Sequence, residues 1–443
     1  MKNIYGWSDR GYEAIKQIER SAKSGARPTV EIHTCVAAED IYKGIKNKVG
    51  GLKHTRVFVK EGTPEYTDDF LYLNAGAPFG ESSFLAQPNG DVYPFSPDEI
   101  AARALVHSAC QSGYAEALNE LFDLGTDEIF FHQVPQLLGQ RYDAAISSFE
   151  KACVIGIRKS DGKVLINPQI STLFNEGDEV IAISADENSI VYQGVKTQLT
   201  DIQARKKSAS RNIAQPVHVL IEGWSEYGED VVAELIRILP RASSIHIHFD
   251  PEKCEPLTIP SRGVKSITIT ASETTGTKKY SHVIALAYRS DIGPNEADHR
   301  TLEAVKKIKA ATPASQNTSF TVELFDPSKA STLELSENDC LFSIENFASK
   351  LIAQIWHDSQ LTPVLSTILK PSGPSISFEA IESYVAPGRP YTFARIAAAA
   401  ATRGDSPIGY FRAMDGAKVL INPSKATIFE TKPGDKLIVI ASN

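Results

Sequence analysis

Strand-length apolar runs break at glycine and give way to helical spacing, and this order of events occurs twice along the chain. Ile4-Tyr5 and the run 217–221 each end in a glycine-bounded turn, Gly6-Trp7-Ser8-Asp9-Arg10-Gly11 and Gly223-Trp224-Ser225-Glu226-Tyr227-Gly228. Helical periodicity follows over 12–22 and 230–239, and a second strand over 29–33 and 244–249. The ends of the two halves also match. Lys163-Val164-Leu165-Ile166-Asn167-Pro168 recurs as Lys418-Val419-Leu420-Ile421-Asn422-Pro423. Each copy is preceded by Ile-Gly (155–156, 408–409) and followed by Gly-Asp and an apolar strand (177–183, 434–440). The turn dipeptides Asp161-Gly162 and Asp415-Gly416 between apolar runs predict hairpins.

The pattern predicts an α/β chain in two tandem halves. Each half is a Rossmann-like unit followed by a small β-rich unit, with the first Rossmann-like unit shortened. The expected boundaries are 1–125 for the first α/β unit (N1) and 126–197 for its β-rich partner (C1). A linker follows over 198–215, then 216–370 (N2) and 371–443 (C2). N2 shows further strands over 266–270, 282–288, 319–325 and 339–344, and a helix over 296–310. N1 shows a third strand over 55–59, then turn-rich sequence over 60–97. Long amphipathic helices are expected over 99–124 and 347–369.

Composition narrows the function. The 443 residues carry 46 Lys+Arg against 54 Asp+Glu, a net charge of −8. This balance disfavours non-specific nucleic-acid binding, and the one basic run, 205–211, reads as a solvated linker. No apolar run approaches the roughly 18 residues of a membrane span, and Met1–Tyr5 enters a strand without a signal-peptide core. Five scattered cysteines with no C-x-x-C suggest reduced thiols in a cytoplasmic setting.

Candidate chemistry centres on the glycine turns. A strand, a glycine turn and a helix N-terminus together present backbone N–H groups to phosphate. Gly6 and Gly11, like Gly223 and Gly228, fit the first and third positions of G-x-G-x-x-G. Ser8 and Ser225 take the second position, where a side chain crowds a pyrophosphate. Asp250 follows the second strand of N2, where a ribose-binding acid belongs; N1 has His33-Thr34 there. N2 is therefore the better nucleotide candidate, with Gly223, Trp224, Ser225, Gly228 and Asp250 ahead of Gly6, Trp7, Ser8 and Gly11. The repeated tryptophans can equally cap a sheet edge. His246 and His248 share one strand face, as metal ligands or on a half-exposed strand. Asp68-Asp69 reads as a solvated loop and Glu229-Asp230 as a helix start. No nucleophile, base and orienter occur together.

The Gly-Trp-Ser turns, with Pro135-Gln136-Leu137, Gly156-Ile157, 163–168 and Glu176-Gly177-Asp178-Glu179, resemble the CASTOR/POLLUX family of ion channels. The resemblance is to their cytosolic portion, two tandem domains that regulate K⁺ conductance (RCK domains). The architecture is also similar to the soluble Trk-type potassium-uptake subunit. The resemblance implies a non-enzymatic, ring-forming regulator that gates a potassium or calcium pathway on binding a ligand. NAD, ATP or Ca²⁺ are the ligands it suggests, with the metal ligands unspecified. It further implies a homo-oligomer of four chains, giving eight RCK domains, with a dimer as the alternative, and a membrane pore partner to which the chain is peripheral. Two other readings stay open: a nucleotide-dependent oxidoreductase, and a scaffold or ligand sensor without a pore.

Overall fold

The computed structural model describes residues 2–5, 7, 9–22, 28–62, 83–86, 92–95, 97–194, 215–225, 227–249, 268–272, 279–288, 292–313, 316–370, 372–413 and 418–442. Gly6, Ser8, Asp68-Asp69, the basic run, Asp250 and Asp415-Gly416 lie outside these residues.

N1 opens with β1 (Lys2–Tyr5), α1 (Asp9–Ser21), β2 (Thr29–Thr34), α2 (Ala38–Gly44) and β3 (Arg56–Glu61). The three strands form a parallel sheet in the order β1-β2-β3. Within the turn-rich segment, β4 (Ser83–Ala86) and β5 (Val92–Phe95) pair as an antiparallel hairpin.

The helix expected over 99–124 is two helices, α3 (Pro97–Cys110) and α4 (Tyr114–Phe122). Gly113 between them has φ 87°, a left-handed conformation that no helix can propagate. C1 follows as β6 (Glu128–Gln133), α5 (Tyr142–Ile146), β7 (Ala152–Arg158), β8 (Val164–Ile166) and β9 (Glu179–Ser184), an antiparallel sheet of order β6-β9-β7-β8.

N2 contains β10 (His218–Glu222), α6 (Gly228–Ile238), β11 (Ser244–His248), β12 (Thr268–Ser272), β13 (His282–Ala285), α7 (Pro294–Ala311), β14 (Ser319–Glu323) and β15 (Cys340–Phe342). Its six-stranded parallel sheet has the order β12-β11-β10-β13-β14-β15, which reverses direction between β10 and β13. A second helix pair follows, α8 (Ile344–His357) and α9 (Thr362–Ile368). They are separated where Asp358 caps a 3₁₀ turn through the N–H of Gln360, so the helix expected over 347–369 is also broken. C2 ends the chain with β16 (Pro374–Ala380), β17 (Pro390–Thr392), α10 (Phe393–Ala401), β18 (Ser406–Arg412), β19 (Lys418–Ile421), β20 (Ile428–Glu430) and β21 (Lys436–Ser442). Its main sheet runs β16-β21-β18-β19.

Contacts gather the chain into two compact units that pair like with like. One is Met1–Lys16, Pro28–Ala115 and Ser210–Ile352; the other is Gln17–Arg27, Glu116–Ala209 and Ala353–Asn443. In the first, α3 leaves N1 and packs on α6 and on β13, β14 and β15 of N2. Its Ala101, Ala102, Leu105 and Val106 are fully buried. His107 Nε2 lies 2.7 Å from Glu234 Oε1 on α6, and Arg237 Nε donates to the same carboxylate at 2.8 Å. Burial pushes the Glu234 carboxyl up, but the hydrogen bonds from Arg237 and His107 and the charge of Arg103 outweigh it and hold it at about 2.

In the second unit the repeated motifs explain themselves. Gly156 and Gly409 face carbonyl oxygens of the neighbouring strand: a Cβ would sit 2.5 Å from Leu165 O and 2.6 Å from Leu420 O. Asn167 and Asn422 take φ 43° and 45°, and asparagine tolerates this region better than most side chains. Their N–H groups donate to Ile155 O and Ile408 O, both at 2.8 Å. Each asparagine also reaches the other copy. Asn167 Nδ2 donates to Gly404 O at 2.9 Å, and Asn422 Nδ2 to Lys151 O at 3.1 Å and Asp127 Oδ1 at 2.8 Å. Asp178 accepts from Asn175 N, Ser160 N and Lys159 Nζ; Asp435 accepts from Lys432 N, Ala413 N and Tyr410 Oη. The Gly-Asp pair thus ties its loop to the hairpin in both copies.

Candidate functional site

In N2 the reversal of strand order falls beside the Gly-Trp-Ser turn, the position where open α/β sheets bind ligands. β10 ends at Glu222, and Gly223 follows at φ 83°. Gly223 N donates to His248 O at 2.9 Å, and Leu286 N donates to Glu222 O at 2.9 Å, so the turn is held from both neighbouring strands. A Cβ on Gly223 would lie 2.9 Å from Leu286 O and 3.3 Å from the Tyr288 ring. Glycine is required here by both backbone conformation and space.

The third glycine answers to the tryptophan. A Cβ on Gly228 would lie 2.8 Å from the Trp224 ring. N1 repeats the device: a Cβ on Gly11 would lie 2.6 Å from Trp7, which is buried and meets Tyr12 edge-on at 5.1 Å. The tryptophans therefore pack over the first turn of the helix that follows, rather than capping a sheet edge. Ser225, 2% exposed, has no hydrogen-bond partner for its hydroxyl among the described residues. Gly228 N donates to Ser225 O at 2.9 Å, opening α6, and Glu229 and Asp230 occupy its first turn.

Two buried carboxylates flank the turn. Glu222 is 2.6 Å from His248 Nδ1. Glu323, at the end of β14, is fully buried and accepts from Tyr227 Oη and, at 2.9 Å, from Ala287 N. A cavity of about 310 Å³ opens beside Glu222, lined also by His248, Tyr288, Arg300, Glu303 and Lys307. That volume stands at the lower end of small-molecule sites, about 300–1,000 Å³. The cavity offers two carboxylates, Glu222 and Glu303, and two cations, of which Arg300 also pairs with Glu296, so a ligand with both donor and anionic groups fits its chemistry.

Sequence reasoning missed Glu222, His248, Glu323, Arg300 and Lys307 as neighbours of the turn. An acid immediately before the first glycine, and cations seven residues apart on α7, were the available signals. His246 and His248 form no metal face: His246 is buried with Nδ1 2.7 Å from Tyr280 Oη, while His248 pairs with Glu222. Among the described residues no cluster of three or more His, Cys, Asp or Glu could hold a metal ion. Nor is any helix there long and apolar enough to cross a membrane.

In N1 the described strands place nothing beside β1 except β2, so the reversal point that makes the N2 site has no counterpart among them. The end of β2 is occupied by an ionic cluster, with Glu31 2.7 Å from His33 Nε2 and 2.6 Å from Lys60 Nζ.

A helix of the first α/β unit packed on the second, and two antiparallel units joined through their Asn-Pro turns, define a tandem RCK-type fold. A solved structure of the human SLO3 gating ring has the same fold, with a TM-score of 0.52 and 11% identity over 98% of this chain and 85% of that one. In sequence the likeness is more particular. Residues 98–200 match the family described as Castor and Pollux, part of voltage-gated ion channel. The chain is 23% identical over 380 residues to the ion channel CASTOR of Lotus japonicus, covering 74% of this chain and 44% of that protein. It is 22% identical over 396 residues to the probable ion channel POLLUX of Oryza sativa subsp. japonica, covering 78% and 40% respectively. The chain thus spans less than half the length of these relatives.

Proposed function

We propose that this chain is a non-enzymatic regulatory assembly that gates a cation pathway, potassium or calcium, in response to a ligand bound at N2. The observation that carries the reading is the tandem arrangement itself, which aligns with a gating ring over 98% of the chain and belongs to a sequence similar to ion channels. The assembly is a homo-oligomer, four chains giving eight RCK domains, working with a membrane pore.

The ligand site of this reading is Gly223, Trp224, Ser225 and Gly228, with Asp250 as the ribose acceptor of a nucleotide. The buried Ser225 hydroxyl and the α6 N-terminus favour an anionic group, and Arg300 and Lys307 line the cavity beside Glu222. Light scattering of the purified chain tests the assembly: four chains are expected, and a monomer at micromolar concentration would sink the reading. Calorimetry with NAD⁺, NADH, ATP and Ca²⁺ tests the ligand. Asp250→Ala should weaken nucleotide binding about tenfold, the loss of roughly 1.4 kcal/mol. Gly223→Val should abolish binding and Gly6→Val should leave it intact; the reverse pattern would move the site to N1.

A further inference from the structure

One buried lysine lacks the partner that burial demands. Lys425 follows the second Asn-Pro turn and is 5% exposed. Among the described residues its ammonium makes one hydrogen bond, to Cys153 Sγ at 3.2 Å, and otherwise lies over the Phe393 ring at 4.8 Å. The nearby carboxylates are engaged elsewhere: Glu150 accepts from Ser424 Oγ at 2.6 Å and Ala426 N at 2.9 Å, and Asp127 from Asn422. An ammonium taken out of water without a carboxylate is costly unless charge is removed from the pair. A thiol beside the ammonium supplies the compensating charge whenever it ionises. Cys153 is 1% exposed. Burial pushes its thiol above the ordinary value, and the Lys425 ammonium beside it offsets only part of that rise, so the thiolate that reacts is a minor form drawn from the thiol.

The pair departs from the internal symmetry of the two β-rich copies. When the repeated motifs are superposed, Cys153 corresponds to Ser406 and Lys425 to Ile170. Ser406 makes an ordinary buried hydrogen-bond set, 2.7 Å from Tyr142 Oη and 2.7 Å from Asn167 Oδ1. Structure alone is satisfied by a hydroxyl at this place. A sulfur and an amine at 3.2 Å, within the roughly 3–3.5 Å of a near-attack arrangement, add a reactivity that the other copy lacks.

We propose that Cys153 and Lys425 are an oxidation site at which hydrogen peroxide joins Sγ to Nζ and so ties C1 covalently to C2. The Cys153 thiolate attacks one peroxide oxygen; the S–O bond forms, the O–O bond breaks and hydroxide leaves. Sulfur is oxidised by two electrons and peroxide is reduced. The Lys425 ammonium gives its proton to that hydroxide, releasing water and leaving a neutral amine beside a sulfenic acid. The amine lone pair then attacks sulfur; the S–N bond forms, the S–OH bond breaks, and the departing hydroxide takes the second amine proton. The sum is thiol plus amine plus peroxide giving a sulfenamide and two waters. Thiols reverse it, as they reverse other sulfenic acid condensations. Burial excludes bulky oxidants and slows peroxide, so the exposed Cys35 oxidises first and serves as an internal clock.

The test treats the full chain with hydrogen peroxide and maps its peptides by mass spectrometry under non-reducing conditions. A linked pair containing Cys153 and Lys425, lighter than the sum of its peptides by about 2 Da, is expected. It should disappear with dithiothreitol and fall at least tenfold in Cys153→Ser and in Lys425→Arg. Lys425→Arg keeps the thiol, so it serves even if Cys153→Ser fails to fold. The linked chain should melt about 5 °C higher than the reduced chain, because the link closes a long loop. Cys153 carrying one to three oxygens without a linked peptide would overturn the proposal. So would a Cys153 left unmodified after an exposure about tenfold longer than the one that fully oxidises Cys35.

Discussion

The two antiparallel units are close copies of each other, whereas the two α/β units share their opening turn and first three parallel strands and then diverge. C1 and C2 keep the same glycine under a carbonyl, the same left-handed asparagine and the same loop-binding aspartate. N2 has six strands where the described part of N1 has a parallel sheet of three. The difference shows where geometry leaves no freedom. In the antiparallel units each repeated residue answers a backbone requirement, and the two asparagines also bond the other copy, so a change there is felt in both. In N1 the helix α3 finds its apolar partner on the N2 sheet, which makes N1's own sheet dispensable as a platform for it.

The sharpest way to break this comparison is Gly409→Val or Gly156→Val. With a Cβ under 2.7 Å from a strand carbonyl in either copy, each should cost about 4 kcal/mol or more, read by urea unfolding. A cost below about 1 kcal/mol in either would show that the copies are not fixed by backbone contact.

Acid titration probes the α/β pair. The Glu234 carboxyl is held at about 2 in the folded chain against an ordinary 4.5. Its folded value is depressed, so its contribution is complete above about 4.5 and fades as pH falls towards 2. About 3 kcal/mol of pH-dependent stability should go with it. Glu234→Gln should flatten that part of the stability curve, and an unchanged curve would remove α3–α6 as an electrostatic junction.

Asn167→Ala and Asn422→Ala should each cost about 2 kcal/mol, through the left-handed backbone and the lost bonds to the other copy. Values agreeing within about 1 kcal/mol would sharpen the case for equivalence. Gly228→Ala should cost about 1.5 kcal/mol by pushing the Trp224 ring, seen as a change in tryptophan fluorescence and in melting temperature. At the small end, Leu173→Ser and Ile428→Ser, corresponding exposed positions of C1 and C2, should each stay within about 0.5 kcal/mol.

Much of the fold was legible because repetition exposes it. The Lys-Val-Leu-Ile-Asn-Pro runs, the glycine turns and the strands of N2 all followed from alternation and spacing, whereas the order of those strands did not. Helix partners were not legible. The apolar stripe of α3 says that something covers it, but not that the cover is a helix with Glu234, which lies 127 residues beyond His107. The breaks between α3 and α4 and between α8 and α9 were readable in principle from Gly113 and Asp358, yet amphipathic spacing on both sides masked them. At the N2 site the glycines were found, while Glu222 and Glu323 were not. A buried acid at a strand end looks in sequence like any solvated acid until a histidine or tyrosine from another strand is brought against it.

The pairing of like with like also sets an order of events during synthesis. At about 5–20 residues per second, the ribosome takes roughly 6–25 s to make the stretch between His107 and Glu234. Through that interval Ala101, Ala102, Leu105 and Val106 have no α6 or N2 sheet to cover them. The nascent first half therefore presents a naked apolar helix, a natural client for a chaperone. A chain released at the linker would carry that stripe permanently, and residues 1–197 expressed alone should aggregate more than the whole chain does.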